Sequence, residues 1–242
     1  MEMKRIMVAM MAASAVALSA CSDDDDDEND DESNIEEITE SDITAGNHID
    51  LGLSVEWASF NLGGQNPEDD GGFYAWGETE EKDTKTYNWA GYKYCTASDT
   101  TMTKYNEADG LTVLKAEDDA ATVRLGDKWR IPTYAECTEL TDNCDVKWVK
   151  YAGAYGYLFT STINGNSIFI PAAGFLSDEG ELCNHWSQGA TAAKGCYWSS
   201  TLDVRNDSQA KDLFFYYPDY VHGDYDQWYR YAAQPIRAVY EE

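Results

Sequence analysis

The feature that most constrains the fold is the stretch KWRIPTYAE at residues 128–136. Pro132 fixes φ at about −65° and pushes the residue before it into extended geometry, so a short strand is predicted to end there. Thr133 can accept a hydrogen bond from the amide of Glu136, whose side chain can reach back to the amide of Thr133. This capping box predicts a helix over roughly residues 134–143. The chain is therefore expected to turn from strand to helix at a corner that carries a tryptophan.

The sequence at this corner, WRIPTYAECTEL, resembles the W-R-L/M-P-T-x-A-E-W core of a domain named after major paralogous proteins of Fibrobacter succinogenes, which is common in Bacteroidetes surface lipoproteins. Further stretches match this Fibrobacter-type domain in order: HIDLGLSVEWASFNLGGQNPEDDGGFYAWGE, YKYC with the later KAEDDAATVRLGDKW, NGNSIFIPAAGF, and GCYWSST with the closing PIRAVY. The corner is more distantly similar to the R-L-P-T-E-A-E-W-E segment of formylglycine-generating sulfatase-modifying proteins. The resemblance covers about residues 47–240 and implies a C-type-lectin-like fold.

Strand-like runs outnumber helical ones in the rest of the chain. A first helix is predicted over Val113–Leu125, with Gly126 as its stop signal. Asn164-Gly165 predicts a hairpin with a two-residue turn, because both positions tolerate positive φ. Strands are predicted at residues 49–51, 55–60, 146–151, 157–163, 167–170, 197–201, 213–217 and 236–240. Two helices packed on antiparallel sheets with long loops indicate the α+β class, and the resemblance implies its C-type-lectin-like form.

Residues 1–20 are predicted to be a lipoprotein signal peptide. A basic pair precedes the apolar run Ile6–Leu18, which is shorter than the roughly 20 residues that a membrane-spanning helix needs. Residues 18–21, Leu-Ser-Ala-Cys, resemble a bacterial lipobox, so we expect cleavage before Cys21 and a diacylglycerol on its thiol. The chain is thereby expected to be anchored to a membrane and not to span it.

Residues 21–46 are predicted to be an extended acidic tether behind the lipidated cysteine. Asp23–Asp27 is an unbroken aspartate run, and large apolar residues are scarce up to Gly46. Such a segment cannot bury enough surface to offset its ordering entropy. Residues 22–26 resemble the acidic export tag of Bacteroidetes surface lipoproteins. This resemblance implies an outer-membrane lipoprotein exposed at the cell surface.

Residues 47–242 are predicted to form one domain, because no linker rich in Pro, Gly or Ser divides them. The formal net charge of the whole chain is −28. Phosphate contacts need clustered Lys and Arg, so this charge argues against nucleic acid or anionic lipid as a partner.

Cysteine pairing is expected in an oxidising compartment. Cys137 and Cys144 lie on one predicted helix, about 10.5 Å apart along its axis, whereas a disulfide needs Cα atoms within about 7 Å. Cys183 with Cys196 is the preferred disulfide, because it closes the long loop between the late strands. Cys95 with Cys144 is a second possibility.

The candidate ligand site lies in Phe214–Tyr231, which reads FFYYPDYVHGDYDQWYRY. Aromatic rings beside carboxylates suit sugar recognition, because rings stack on C–H faces and acids accept hydrogen bonds from hydroxyls. The candidate residues are Tyr217, Tyr220, Asp224, Tyr225 and Trp228, together with Trp186 in the long loop. The alternative is that half of these rings belong to the core or cover a sheet edge. The Glu-Pro-Asn, Gln-Pro-Asp and Trp-Asn-Asp triplets of calcium lectins are absent, which argues against a calcium-dependent sugar site.

We therefore expect a non-catalytic binding protein for an extracellular glycan or a host or partner protein. A structural or adhesive component of a surface assembly, such as a fimbrial tip, is the alternative. An enzyme of the formylglycine-generating or hydrolase type is the third class, but the Arg-Cys-Ala cysteine pair of the former has no counterpart here. Acid pairs such as Asp118-Asp119 or Asp69-Asp70 would need a partner about 5–9 Å away across a cleft. The three histidines show no ligand spacing, so we expect no metal and no cofactor.

Overall fold

The computed structural model describes residues 34–82, 87–96, 101–218, 220–222 and 226–241. The strands in chain order are β1 (Glu36–Ile38), β2 (His48–Ile49), β3 (Glu56–Ala58), β4 (Tyr74–Ala75), β5 (Cys95–Thr96), β6 (Thr101–Met102), β7 (Trp129–Arg130), β8 (Cys144–Tyr151), β9 (Ala154–Ser161), β10 (Ser167–Pro171), β11 (Phe175–Leu176), β12 (Leu182–Cys183), β13 (Lys194–Leu202), β14 (Gln209–Tyr216), β15 (Tyr220–Val221), β16 (Gln227–Tyr229), β17 (Ala233–Gln234) and β18 (Val239–Tyr240). The helices are α1 (Ala120–Leu125) and α2 (Tyr134–Asp142).

The strands form small sheets. The sheet orders are β1-β8-β9-β10, β12-β11-β17-β4, β2-β3-β18-β7 and β13-β14-β15, with β16 also paired to β14 and β5 paired to β6. Among the strands that the structure describes, β1 pairs with β8 in parallel and the other pairs are antiparallel. Two helices with mostly antiparallel sheets place the chain in the α+β class, as predicted. Neither helix of the described segments is long and apolar enough to cross a membrane.

The predicted strand-to-helix corner is confirmed. The Thr133 hydroxyl accepts a hydrogen bond from the Glu136 amide at 3.3 Å, and the Glu136 carboxylate accepts one from the Thr133 amide at 2.7 Å. Arg130 on β7 donates through both terminal nitrogens to the same carboxylate, at 2.7 and 2.5 Å. Burial opposes ionisation of Glu136, but this guanidinium holds its pKa below the ordinary value. The corner is thus a closed clamp in which Glu136 has a structural role.

The first helix is shorter than predicted. Helix α1 begins at Ala120 with Asp119 as its N-cap, whose carboxylate accepts from the Thr122 amide at 3.0 Å. The predicted start at Val113 is wrong, because Val113 forms a β-bridge to Thr201 and the next residue is bonded to the same strand. Pairing with β13 therefore replaces the first turns of the expected helix. The predicted stop at Gly126 is confirmed by its φ of 100°.

The hairpin of β9 and β10 is confirmed, but its turn is longer than predicted. The last inter-strand bond runs from the Ser161 amide to the carbonyl of Asn166 at 2.8 Å, and this leaves residues 162–165 in the loop. Gly165 has a φ of 80° and donates its amide to the Ser161 carbonyl at 3.0 Å. The expected two-residue turn at 164–165 is therefore wrong.

The predicted acidic tether ends too late, because part of it is folded. Strand β1 pairs in parallel with residues 149–151 of β8, and Ile38 is only 6% exposed against Val149 and Phe169. Ser167 donates its hydroxyl to the carbonyl of Asp42 at 2.6 Å. The isoleucines spaced among the acids supply enough apolar surface to cover the sheet edge. The tether boundary at residue 46 is corrected to about residue 35, and Cys21 lies outside the described residues.

Residues 31–242 form one compact unit, so a chain that begins at residue 31 keeps every described element. Helix α2 packs on β8, β13 and β14, and buries Cys137 and Leu140 completely. The second part of the core surrounds Arg230, which is fully buried. Its guanidinium lies 4.8 Å from the Trp76 ring centre, and the buried charge donates to backbone carbonyls at 2.8–3.1 Å.

The expected disulfides are not formed. Cys137, Cys144, Cys183 and Cys196 are free thiols, so both the Cys183–Cys196 pair and the Cys95–Cys144 pair are wrong. Cys183 lies on β12 and Cys196 on β13, which belong to different sheets, and Cys196 faces the interior. Cys144 begins β8 after α2 has ended at residue 142, so the premise of one shared helix also fails.

Candidate ligand-binding cleft

Strand β14 has two different faces. Leu213 and Phe215 point into the core, where they are at most 1% exposed. Asp212, Phe214 and Tyr216 alternate with them and therefore lie on the opposite face. Strands β15 and β16 pair with β14 near its two ends, at residues 215–216 and 209–211. A cleft lies on this face of β14, beside β15 and β16.

The cleft has a volume of about 330 Å³ and is lined mainly by four aromatic rings and two carboxyl groups: Phe214, Tyr216, Tyr220, Trp228, Asp212 and Asp226. The Tyr216 ring stacks on Tyr220, with ring centres 4.9 Å apart and an interplanar angle of 11°. The Trp228 ring packs against Phe175, with centres 5.1 Å apart. These contacts fix the rings before any ligand arrives.

Asp212 is the buried acid of the cleft and is 1% exposed. Its Oδ2 accepts a hydrogen bond from Nε2 of Gln234 at 3.1 Å. Its Oδ1 has no hydrogen-bond partner among the described residues. Burial raises the pKa of Asp212 to about 7; the Gln234 hydrogen bond and the Lys211 charge oppose this effect, and the Asp226 charge adds to it. A proton is therefore held on this acid far above the pH at which an exposed aspartate loses it.

Asp226 is the second acid and connects the cleft to α2. Its Oδ1 accepts from the Tyr220 hydroxyl at 2.8 Å, and its Oδ2 lies 3.4 Å from Nδ1 of His222. Nε2 of His222 is 3.1 Å from the hydroxyl of Thr138 on α2. Burial and the hydrogen bond to Asp226 raise the pKa of Tyr220 to about 12, so this phenol remains a donor.

The structure brings together only part of the predicted site. Tyr220 and Trp228 both line the cleft. Tyr217 does not, because the alternation of the strand turns it to a second cleft beside Trp148, with ring centres 5.8 Å apart. Trp186 does not line the cleft either: its indole N–H donates to Asp70 at 2.9 Å in a 3₁₀ turn. Asp224 and Tyr225 lie outside the described residues.

Five lining residues were not among the candidates named from the sequence: Asp212, Phe214, Tyr216, Asp226 and Gln227. The signal for three of them is the period of two along β14, which places Asp212 on the same face as the two rings. For Asp226, no local signal separates it from the neighbouring acids of the same stretch.

The acid pairs that suggested hydrolase chemistry are used by the fold. Asp118 accepts from the Tyr105 hydroxyl at 2.6 Å and from Lys93 at 3.0 Å, and it also binds Tyr94 and Lys104. Asp119 caps α1 and accepts from the amide of residue 131 at 2.8 Å. In the described part of the chain, no three His, Cys, Asp or Glu side chains come close enough to hold a metal ion.

Comparison with protein-family models, with curated proteins and with solved structures finds no match to this chain. The resemblance to the Fibrobacter-type domain thus stays a prediction from the sequence. The feature of the fold that bears on function is the cleft, where aromatic rings and buried carboxyl groups lie side by side.

Proposed function

We propose that the protein is a non-catalytic lipoprotein, anchored in the outer membrane through Cys21, that binds an extracellular glycan in the cleft beside β14. The observation that carries this proposal is the set of four rings held around two buried carboxyl groups. We further propose the C-type-lectin-like form of the α+β fold, which the strand-to-helix corner and the two helices on antiparallel sheets support.

A sugar ring has apolar C–H faces and polar hydroxyl edges. Trp228 and Tyr216 offer the flat apolar surfaces, and each such ring contact contributes about 0.5–1.5 kcal/mol beyond the area it buries. Asp212 and Asp226 offer oxygens that can accept hydrogen bonds from hydroxyl groups, and each such bond contributes about 0.5–1.5 kcal/mol. Pre-packed side chains lower the entropy that binding costs.

The non-catalytic part of the proposal has structural support. Glu136, the prominent acid of the corner motif, is clamped by Arg130, and the Asp118-Asp119 pair is occupied by tyrosines, lysines and backbone amides. These acids are used to hold the fold together. The net charge of −28 supports a partner that is not a nucleic acid.

The test is a glycan array with the chain from residue 31 onwards, run with and without calcium, beside Trp228→Ala and Tyr229→Ala. Tyr229 is the matched control, because it is the next residue on β16, is 44% exposed and does not line the cleft. We expect glycan binding that Trp228→Ala weakens at least about tenfold, since the ring contributes about 1.4 kcal/mol or more, and that Tyr229→Ala retains.

Circular dichroism of each variant separates loss of the site from loss of the fold. Tyr216→Ala is the second site variant, because Tyr216 is 37% exposed and can be truncated with little effect on the core. A blank array with folded protein would remove the glycan proposal and leave a protein ligand as the next candidate. Binding lost equally in Tyr229→Ala would move the site to the rings that stack around Tyr229 and Tyr231.

A further inference from the structure

We propose that the cleft selects glycans that carry a free ammonium group, that is, amino sugars whose nitrogen is not acylated. This inference rests on the proposed function of the same cleft. It is carried by Asp212, a buried acid that lines the cleft and whose Oδ1 has no hydrogen-bond partner among the described residues.

The described lining of the cleft is acidic and aromatic, and Nζ of Lys194 lies against two of its rings. Its described lining holds two carboxyl groups and no Lys or Arg. Lys211, the neighbour of Asp212 on β14, lies 4.7 Å from the ring centre of Tyr134 at the start of α2. This position follows from strand alternation, which turns Lys211 to the opposite face. Among the described residues, no cation is hydrogen-bonded to Oδ1 of Asp212, so a ligand can supply one there.

The rings of the cleft are suited to an ammonium group. An ammonium within about 6 Å of an aromatic centre is attracted by the negative face of the ring. Nζ of Lys194 already lies 5.9 Å from the ring centres of both Phe214 and Tyr216. A ligand ammonium on the cleft side would add the same contact with Tyr220 or Trp228, together with a charge-assisted hydrogen bond to Oδ1 of Asp212.

A hydroxyl group could also donate to Oδ1 of Asp212, but unlike an ammonium group it would not favour the ionised form of this buried acid. Burying an ionised carboxylate is costly unless it is paired, and a ligand cation supplies the pair. The same reasoning disfavours an N-acetyl group, which carries no charge and is bulkier. The distinguishing feature of the preferred ligand is therefore its positive charge next to a sugar ring.

The test compares two oligosaccharides with the same backbone, chitosan tetraose with free amines and chitotetraose with acetylated ones, by calorimetry at moderate ionic strength. We expect the amine form to bind at least about tenfold more tightly. Asp212→Asn should abolish this preference while keeping an oxygen for Gln234. Asp145→Asn is the matched control, because it removes one exposed carboxylate from β8 and should leave the preference unchanged.

A tetralysine peptide controls for attraction to the acidic surface. If it binds as tightly as chitosan tetraose, or if Asp145→Asn has the same effect as Asp212→Asn, the selectivity is only general charge and the inference is overturned. Equal binding of both oligosaccharides overturns the inference and leaves the glycan site standing. If neither oligosaccharide binds, the inference is overturned. The glycan array then decides whether the proposed function also fails: binding of another glycan keeps the site, and a blank array removes it.

Discussion

Asp212→Asn should stabilise the folded chain, and its advantage should grow as the pH rises from about 4 to about 7. Burial raises the pKa of Asp212 from 3.8 to about 7 in the folded chain. The unfolded chain loses this proton near pH 3.8, so the folded state holds more protons in between. The stability that the neutral carboxyl contributes is therefore fully present below the lower value and is lost as the pH rises towards the upper one.

The size of this change in unfolding free energy follows from the difference between the two pKa values of Asp212. Each pH unit corresponds to about 1.4 kcal/mol, so the wild-type chain loses about 4 kcal/mol of unfolding free energy that the uncharged variant does not lose. Asparagine has nearly the same shape, and its oxygen can still accept from Nε2 of Gln234 as Oδ2 of Asp212 does at 3.1 Å. Above about pH 7 the difference should become constant.

The assay is urea unfolding followed by tryptophan fluorescence at about pH 4 and about pH 8, for the wild type, Asp212→Asn and the exposed control Asp145→Asn. The quantity compared is the change in unfolding free energy on substitution at the two pH values. If that change for Asp212→Asn differs by less than about 1 kcal/mol between the two pH values, Asp212 is solvated or paired, and its description as an unpaired buried acid is wrong.

Ile38→Ala should lower the free energy of unfolding by about 2 kcal/mol, because it removes a buried side chain that covers the edge of β8. Glu37→Ala, at an exposed position, should change it by no more than about 0.5 kcal/mol. Urea unfolding measures both values. Cys137 and Cys196 should resist thiol reagents until the chain unfolds, because burial raises their pKa values well above the ordinary one. Reductant should leave the melting temperature unchanged, because Cys183 and Cys196 are not bridged.

Each of these expectations has a clear contrary result. Equal effects of the two β1 substitutions would mean that β1 is not docked on β8 in solution. Rapid labelling of both buried thiols in the native chain would contradict the packing of α2 and β13. If reductant lowers the melting temperature, the long loop does contain a disulfide.

The sequence predicted those features that depend on residues close together in the chain. Thr133 and Glu136 are only three residues apart, so their capping box could be read directly from the letters. Tyr220 and Trp228 could be proposed as ligand-binding residues, because aromatic residues and acids are concentrated in one stretch of the sequence. The start of α1 could not be predicted, because Val113 is taken by a long-range bridge to Thr201.

The other misses have the same physical origin. Residues 36–46 look disordered by average composition, yet one well-placed Ile38 docks them on a strand more than a hundred residues away. Asp212 looks like one acid among many, and only the pairing of β14 with its neighbours makes it a buried one. Tyr217 and Trp186 were assigned by residue type alone, and residue type does not tell which face of a strand or which side of a loop a ring will occupy.

The clamp at the strand-to-helix corner has a consequence for classifying other chains that share this motif. Arg130, Thr133 and Glu136 direct their polar groups at one another and at nearby backbone, and Arg130 also binds Glu241, so the motif encodes a scaffold. Grouping chains by the sequence of this corner would therefore group them by fold. It would give no information about which ligands they bind. The informative positions for predicting a ligand are those around the cleft, in residues 209–231, and two chains with the same corner can differ there completely.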